Sequence, residues 1–113
     1  MLFRSLLKGR RAVVTGAGRG IGRAIALHLA RAGAAVAVVA RSKSQIESTA
    51  AEIQHDGGSA WAVAVDVTSD ESVNSALPVI REALGGPVDT LVNNAGAYTA
   101  RRSEEHTSEL QSH

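Results

Sequence analysis

Hydrophobic and polar positions alternate between two periodicities over most of the chain. The all-apolar run at residues 35–40 is typical of a short strand buried on both faces of a parallel sheet, and the largely apolar segments 12–15, 61–67 and 88–92 are interpreted as three further strands. Between them, apolar residues recur every three or four positions, which is the spacing of a helix with one buried face. The pattern predicts a strand followed by a helix three times over, and then a fourth strand.

Turn and capping residues mark the expected ends of these helices. Glycines at positions 33, 57–58 and 85–86 follow the three helical segments, where a left-handed residue commonly ends a helix. Ser42 with Gln45, and Thr68 with Glu71, have the spacing of a capping box and predict where the second and third helices begin. Pro78 lies inside the third helix and predicts a kink there.

Right-handed crossovers between successive strands make this order a parallel, doubly wound α/β sheet of the Rossmann type. Only the first four strands and three helices of such a sheet are accounted for, so the fold is expected to be incomplete. The fourth strand, which includes Leu91 and Val92, would then be an uncovered apolar edge.

Composition excludes several other classes of function. The 113 residues are 44% hydrophobic and 20% charged, with a net charge of +1 and no cysteine, as expected of a globular protein without disulfides. No basic stripe indicates nucleic-acid binding, no run is long enough to span a membrane, and the four histidines lack metal-ligand spacing. A cytoplasmic enzyme without a metal site is the expectation.

The segment Thr15-Gly16-Ala17-Gly18-Arg19-Gly20-Ile21-Gly22 lies where the first strand meets the first helix. A dinucleotide pyrophosphate needs backbone N–H groups at close range and the positive end of a helix dipole. Gly16 would supply the tight turn, Gly20 the close approach to the phosphates, and Gly22 the close packing of helix on strand. No Gly-Lys-Ser/Thr follows, which excludes a mononucleotide P-loop.

Three motifs in order resemble the classical short-chain dehydrogenase/reductase family over residues 6–100. T-G-A-G-R-G-I-G matches the family's T-G-x-x-x-G-I/L-G, Asp66-Val67 falls where the family's aspartate contacts adenine, and Asn93-Asn94-Ala95-Gly96 matches its N-N-A-G. The resemblance implies an oxidoreductase that transfers hydride between a nicotinamide cofactor and a small carbonyl or alcohol substrate, in a homo-oligomer. Asn93 would lie where the strand order reverses, Ala95 and Gly96 would let the chain pass close to the cofactor, and the first Asn of the motif would be largely architectural.

Residues after the second strand favour NADP(H) over NAD(H). Ala40 stands where an NAD-selective site has a carboxylate, and Arg41 follows it. A guanidinium can pair with the 2′-phosphate of NADP in a bidentate manner, and Ser42 adds a hydroxyl donor. Arg19 in the glycine loop is a second cation expected to face the same pocket. Solvated surface arginines are the alternative.

No catalytic residue can be named within the chain. The resemblance implies a Ser and a Tyr-x-x-x-Lys pair beyond the matching region, and Tyr98, with Arg102 four places on, follows N-N-A-G too closely. We therefore expect this chain alone to be at best marginally stable and inactive. A non-catalytic dinucleotide-binding module, or a pseudo-enzyme, is the alternative function.

Both ends of the chain suggest a junction with other DNA. Residues 102–113 can be back-translated into a widely used short-read sequencing adapter, and residues 1–5 into its reverse complement. We therefore expect residues 6–101 to be the NADP(H)-binding fragment, residues 1–5 to be adapter-derived, and residues 102–113 to be an adapter-derived, disordered tail.

Overall fold

The structure, a computed structural model, describes residues 6–94. Four strands alternate with three helices in the order β1 (Arg11–Thr15), α1 (Gly20–Arg31), β2 (Ala35–Ala40), α2 (Lys43–His55), β3 (Ser59–Ala64), α3 (Asp70–Leu84) and β4 (Thr90–Asn93). All neighbouring strands are parallel, and they lie in the order β3-β2-β1-β4. The predicted Rossmann-type α/β fold, incomplete and made of these seven elements, is confirmed.

Each face of the sheet carries its own hydrophobic core. Val14, Val36 and Val38 face α1 and α2, and the residues one place away along the same strands, such as Val13 and Ala37, face α3. Side chains alternate across a strand, so a strand covered on both faces must be apolar at every position. The uninterrupted run Ala35–Ala40 satisfies this requirement, and β2 is accordingly flanked by strands on both sides.

Two predicted strands have different ends in the structure. The third strand spans Ser59–Ala64, not 61–67, because Ala64 pairs with Ala40, the last residue of β2, and the Asp66 N–H turns away to donate to the Ser72 hydroxyl. The fourth spans Thr90–Asn93, not 88–92, because β1 is its only neighbour among the described strands and its ladder with β1 starts at Ala12 and Thr90. Register with a neighbouring strand set these ends.

The two predicted capping boxes are wrong in detail. Ser42 is the N-cap of α2, but its side chain caps no N–H and instead lies 3.5 Å from the Ser44 hydroxyl. The N-cap of α3 is Ser69, not Thr68, and its hydroxyl accepts the Ser72 N–H at 3.2 Å. Helix α3 begins at Asp70, one residue too late for Thr68 to be its N-cap, and the Thr68 hydroxyl instead donates to the Asp66 carboxylate.

Helix α3 continues through Pro78 for its full 15 residues and ends at Gly85, whose φ of 82° is left-handed. Strand β4 lies at one edge of the described sheet, and the Leu91 side chain there is 47% exposed. Within residues 6–94, no helix has the length and apolar character that crossing a membrane requires, and no three metal-ligating side chains are clustered.

Candidate functional site

The carboxyl ends of all four strands meet at one edge of the sheet, because the strands are parallel. The segment after β1 holds the glycine turn, Arg41 follows β2, Asp66 follows β3, and Asn94 follows β4. The sequence-predicted residues from Thr15 to Asn93 therefore come together at this edge. Ala95 and Gly96 lie outside the described residues. Open α/β sheets bind ligands at this edge, at the place where the strand order reverses, which here is beside β1.

Gly16 and Gly20 have left-handed backbone conformations, each with φ of 63°. Side chains with a Cβ rarely adopt this region, so the turn between β1 and α1 depends on glycine at both positions. At Gly20 an added Cβ would meet no protein atom within 4 Å. The space above Gly20 is therefore open to a ligand, as the predicted close approach requires.

Gly22 packs α1 directly against the turn. An added Cβ would overlap the Gly16 carbonyl oxygen and lie 2.8 Å from the Asn94 amide nitrogen. The prediction was close packing of helix on strand, and the contacts of Gly22 are with the turn after β1 and with Asn94 after β4. Gly18 is constrained from another side, since its added Cβ would lie 2.7 Å from the Cβ of Gln45 in α2.

Residues from three other parts of the chain hold the glycine turn in place. The fully buried Ala17 donates its N–H to the Val39 carbonyl in β2 at 3.2 Å. Its own carbonyl accepts the Thr49 hydroxyl from α2 at 3.0 Å. The Asn94 side-chain amide donates to the Gly16 carbonyl at 3.3 Å. These bonds fix the turn before any ligand arrives.

The N-terminus of α1 has the properties of an anion site. Arg19 is its N-cap residue, no side chain caps the first turn, and the first turn contains no acidic residue. The first N–H groups of a helix have no intrahelical acceptor and carry a partial positive charge. Ile21 in this turn is 73% exposed. An anionic group would fit here without displacing a protein side chain.

Arg41 is exposed directly after β2, and Ser42 beside it is half-buried. Within residues 6–94 the guanidinium of Arg41 takes part in neither of the two ion pairs, which join α1 to α2 and to the C-cap residue of α2. The pKa of the Asp66 carboxyl is lowered below its ordinary value, mainly by the hydrogen bonds from the Thr68 hydroxyl and the Thr68 N–H. Burial opposes these bonds, and the positive charge of Arg41 adds the smallest effect, which lowers the pKa. Val67 next to it packs on the α3 side of the sheet.

Asn93 joins β4 to β1. The Thr15 hydroxyl lies 3.0 Å from the Asn93 side-chain oxygen and 3.4 Å from the Val92 carbonyl, and it can donate to either. Thr15 is buried, and its position pairs with Asn93 in the strand ladder. Through this bond Asn93 links β4 to β1, the two strands beside the place where the strand order reverses.

Thr49 and Thr68 belong to this edge of the sheet but were missed by the sequence reasoning, and for Asn94 its bond to Gly16 was missed. Thr49 left a signal, since it is a polar residue on the buried stripe of α2 with Ile46 and Ile53. Thr68 was predicted to cap α3. The nearby Asp66, a strong acceptor two residues earlier, was the signal for the bond that its hydroxyl makes. Asn94 was recognised only as part of a motif.

A parallel sheet of this order, with a glycine turn after the inner strand β1 and helices on both faces, defines a Rossmann-like α/β domain. The chain belongs to the short-chain dehydrogenase family, whose sequence model matches residues 10–112. Members of this family bind nicotinamide dinucleotides.

Individual relatives agree with this membership. The chain is 48% identical over 90 residues to the 3-oxoacyl-(acyl-carrier-protein) reductase FabG of Pseudomonas aeruginosa, covering 80% of this chain and 36% of that protein. It is 46% identical over 85 residues to the short-chain dehydrogenase/reductase homolog YusS of Bacillus subtilis, covering 74% and 77%. The structure of the citronellol catabolism dehydrogenase AtuB of Pseudomonas aeruginosa superimposes with a TM-score of 0.75 at 40% identity, covering 79% and 37%.

Apart from YusS, these relatives are much longer than this chain. The chain spans about a third of the length of FabG and of AtuB. The matching third contains the glycine turn and the strands beside it.

Proposed function

We propose that this chain is the NADP(H)-binding part of a short-chain dehydrogenase/reductase that interconverts small carbonyl compounds and alcohols. The observation that carries the proposal is the open glycine turn at the uncapped N-terminus of α1, located after the inner strand β1. A bound nicotinamide would supply the hydride, and the residues of this chain would hold and orient the dinucleotide.

The pyrophosphate of the dinucleotide would lie against Gly18, Gly20 and the first N–H groups of α1. Gly20 offers open space, and the bonds of Ala17 to Val39 and Thr49 hold the turn rigid. A rigid turn loses little conformational entropy when the ligand binds, which favours affinity. Thr15, Gly16, Ile21 and Gly22 would shape this cradle.

The 2′-phosphate of NADP would pair with Arg41, with Ser42 and Arg19 nearby. Support comes from the exposure of both arginines at the ligand edge and from the absence of a carboxylate at Ala40. Within the described part of the chain no acidic side chain forms an ion pair with Arg41. Its guanidinium is thus available for the bidentate geometry that phosphate favours.

The two remaining parts of the cofactor would lie on either side of the phosphates. Asp66 and Val67, after β3, would border the adenine ring. Asn93, the last residue of β4, and Ala95 and Gly96, which follow it in the sequence, would border the nicotinamide ribose. For the whole enzyme we also propose a small carbonyl or alcohol substrate, a homo-oligomeric assembly and a cytoplasmic location.

The chain would bind the dinucleotide without turning over substrate. Its sequence contains no Tyr-x-x-x-Lys pair, so no side chain is available in that motif to exchange a proton with the substrate oxygen. Incubation of the purified 113-residue chain with NADPH and simple aldehydes should leave the NADPH absorbance unchanged. Oxidation above that of a protein-free control would contradict this part of the proposal.

Titration of the full chain with NADPH and with NADH tests the cofactor assignment. A charge-assisted bidentate contact corresponds to a preference for NADPH of about tenfold or more. Arg41→Ala should remove most of this preference, and Arg81→Ala, which removes an exposed arginine in the last turn of α3, should leave it unchanged. Equal affinity of the unmodified chain for the two cofactors would overturn the NADP assignment, and binding of neither would overturn the proposed function.

A further inference from the structure

The Asp66 carboxylate is held through one of its two oxygens. Thr68 donates twice to the same oxygen, Oδ1, through its backbone N–H at 3.0 Å and through its hydroxyl at 2.6 Å. Two donors from one residue fix both the position and the rotation of the carboxylate plane. Within residues 6–94, Oδ2 accepts no hydrogen bond from the protein.

The backbone beneath this carboxylate is fixed as well. The Asp66 N–H donates to the Ser72 hydroxyl at 3.0 Å, and the Ser72 N–H donates to the Ser69 hydroxyl at 3.2 Å. Asp66 is therefore attached to the first turn of α3, which packs on the sheet. Because backbone and carboxylate are both constrained, Oδ2 has a defined direction at the ligand edge.

Thr68 is not needed to begin α3, because Ser69 is the N-cap residue of that helix and its own hydroxyl caps it. Thr68 is also exposed, so its side chain fills no space in the core. The hydroxyl bond to Asp66 is the only side-chain hydrogen bond of Thr68 within the described residues. Its contribution is therefore local to the carboxylate.

We propose that Thr68 is a positioning residue that aims Oδ2 of Asp66 at the exocyclic amine of the bound adenine, and thereby makes the site selective for a base with an amino group. The proposal rests on the proposed function. An ionised carboxylate only accepts hydrogen bonds, so Oδ2 favours an amine and disfavours a carbonyl oxygen at the same place.

The test compares two ligands that differ at this atom alone: NADPH and its hypoxanthine analogue, in which a carbonyl oxygen replaces the adenine amine. The unmodified chain should bind NADPH more tightly. Thr68→Val, which has the same shape without the hydroxyl, should reduce the ratio of the two affinities by about three- to tenfold, the effect expected for one hydrogen bond. Most of the change should be in the affinity for NADPH.

Two further variants separate positioning from a general structural effect. Thr68→Ser keeps the hydroxyl and should restore the affinity ratio. Thr90→Val removes a bond of the same kind, from the Thr90 hydroxyl to Asp89 Oδ1 at 2.8 Å. Thr90 is the first residue of β4, at the amino ends of the strands and away from the proposed cofactor site, so this variant should leave the ratio unchanged. If circular dichroism shows that Thr68→Val is unfolded, Thr68→Ala takes its place.

The possible outcomes distinguish this inference from the proposed function. An unchanged ratio of the two affinities in Thr68→Val would overturn the positioning role, whether both affinities fall equally or neither changes. An equal fall would indicate a general structural effect, because destabilised structure affects both ligands alike. Failure of the unmodified chain to bind either ligand would instead contradict the proposed function.

Discussion

The hydroxyl of Thr49, in the middle of α2, donates to the carbonyl oxygen of Ala17 in the glycine turn at 3.0 Å, although the two residues are 32 positions apart in the chain. Both residues are fully buried. The bond gives a buried carbonyl its partner and attaches the turn to α2, and so the stability of the helix and the shape of the proposed cofactor site depend on one hydroxyl.

Replacement of Thr49 by Val should lower the free energy of unfolding by about 1–2 kcal/mol, because the Ala17 carbonyl would remain buried without this donor. It should also weaken NADPH binding, since the turn would lose its attachment to α2. Urea denaturation and NADPH titration measure the two effects. Thr49→Ser keeps the hydroxyl and should retain most of the binding. Unchanged stability in Thr49→Val would show that Ala17 finds another donor.

Gly22→Ala and Gly20→Ala should fail in different ways. At Gly22 the new Cβ would overlap a backbone oxygen that cannot move away cheaply, so we expect a loss of stability of about 3 kcal/mol. At Gly20 the Cβ meets open space, so only the left-handed conformation is penalised, by about 1 kcal/mol. The Gly20 variant should instead lose affinity for NADPH. Denaturation curves with the reverse order of stability would contradict this assignment.

The stability of the fold should fall on acidification below about pH 4. The Thr90 hydroxyl, and with it the Arg11 N–H, lowers the pKa of the Asp89 carboxyl, and Thr68 does the same at Asp66. A carboxyl whose pKa is lower in the folded state stabilises the fold above its unfolded pKa, and this contribution is lost as the pH falls through the folded pKa. Urea midpoints measured between pH 6 and pH 3, in steps of about one unit, should show this decline.

Asp89→Asn should make that pH dependence shallower, because the substituted side chain does not titrate. Thr90→Val should act in the same direction, since it removes the largest cause of the lowered pKa. A pH dependence that is identical in all three proteins would show that Asp89 does not contribute to it.

Pro78→Ala should stabilise the protein by about 1–3 kcal/mol. Pro78 is exposed in the interior of α3, where it lacks the N–H of a regular helical hydrogen bond and its ring crowds the preceding turn. Alanine restores the donor at an exposed position. Pro87→Ala, beyond the end of α3, should have an effect below about 1 kcal/mol. A lower thermal midpoint for Pro78→Ala would show that the proline is needed where it stands.

Much of the fold follows from local patterns along the chain. The run Ala35–Ala40 predicted a strand buried on both faces, and it has these bounds in the structure. Gly85 was expected to end α3, and its left-handed φ does so. These features depend on side chains within one turn or one strand, so they can be recognised in a single segment of sequence.

The ends of β3 and β4, and the cap of α3, were predicted incorrectly because each depends on a partner outside its own segment. Strand β4 takes its length from the register with β1, some 78 positions away. The Thr68 hydroxyl donates to Asp66, and Ser69, directly before the first residue of α3, is the cap. Apolar character alone could not distinguish a residue in the ladder from one beside it.

The same division applies to the candidate site. The sequence by itself determined the glycine turn, its place between β1 and α1, and the charges of Arg19 and Arg41, because these are properties of consecutive residues. Only the tertiary structure decided that Gly22 must be glycine to clear the Gly16 carbonyl, that Thr49 holds Ala17, and that Thr68 fixes Asp66. Most of these contacts join atoms that chain topology brings together, and spacing along the sequence does not encode which acceptor a hydroxyl will meet.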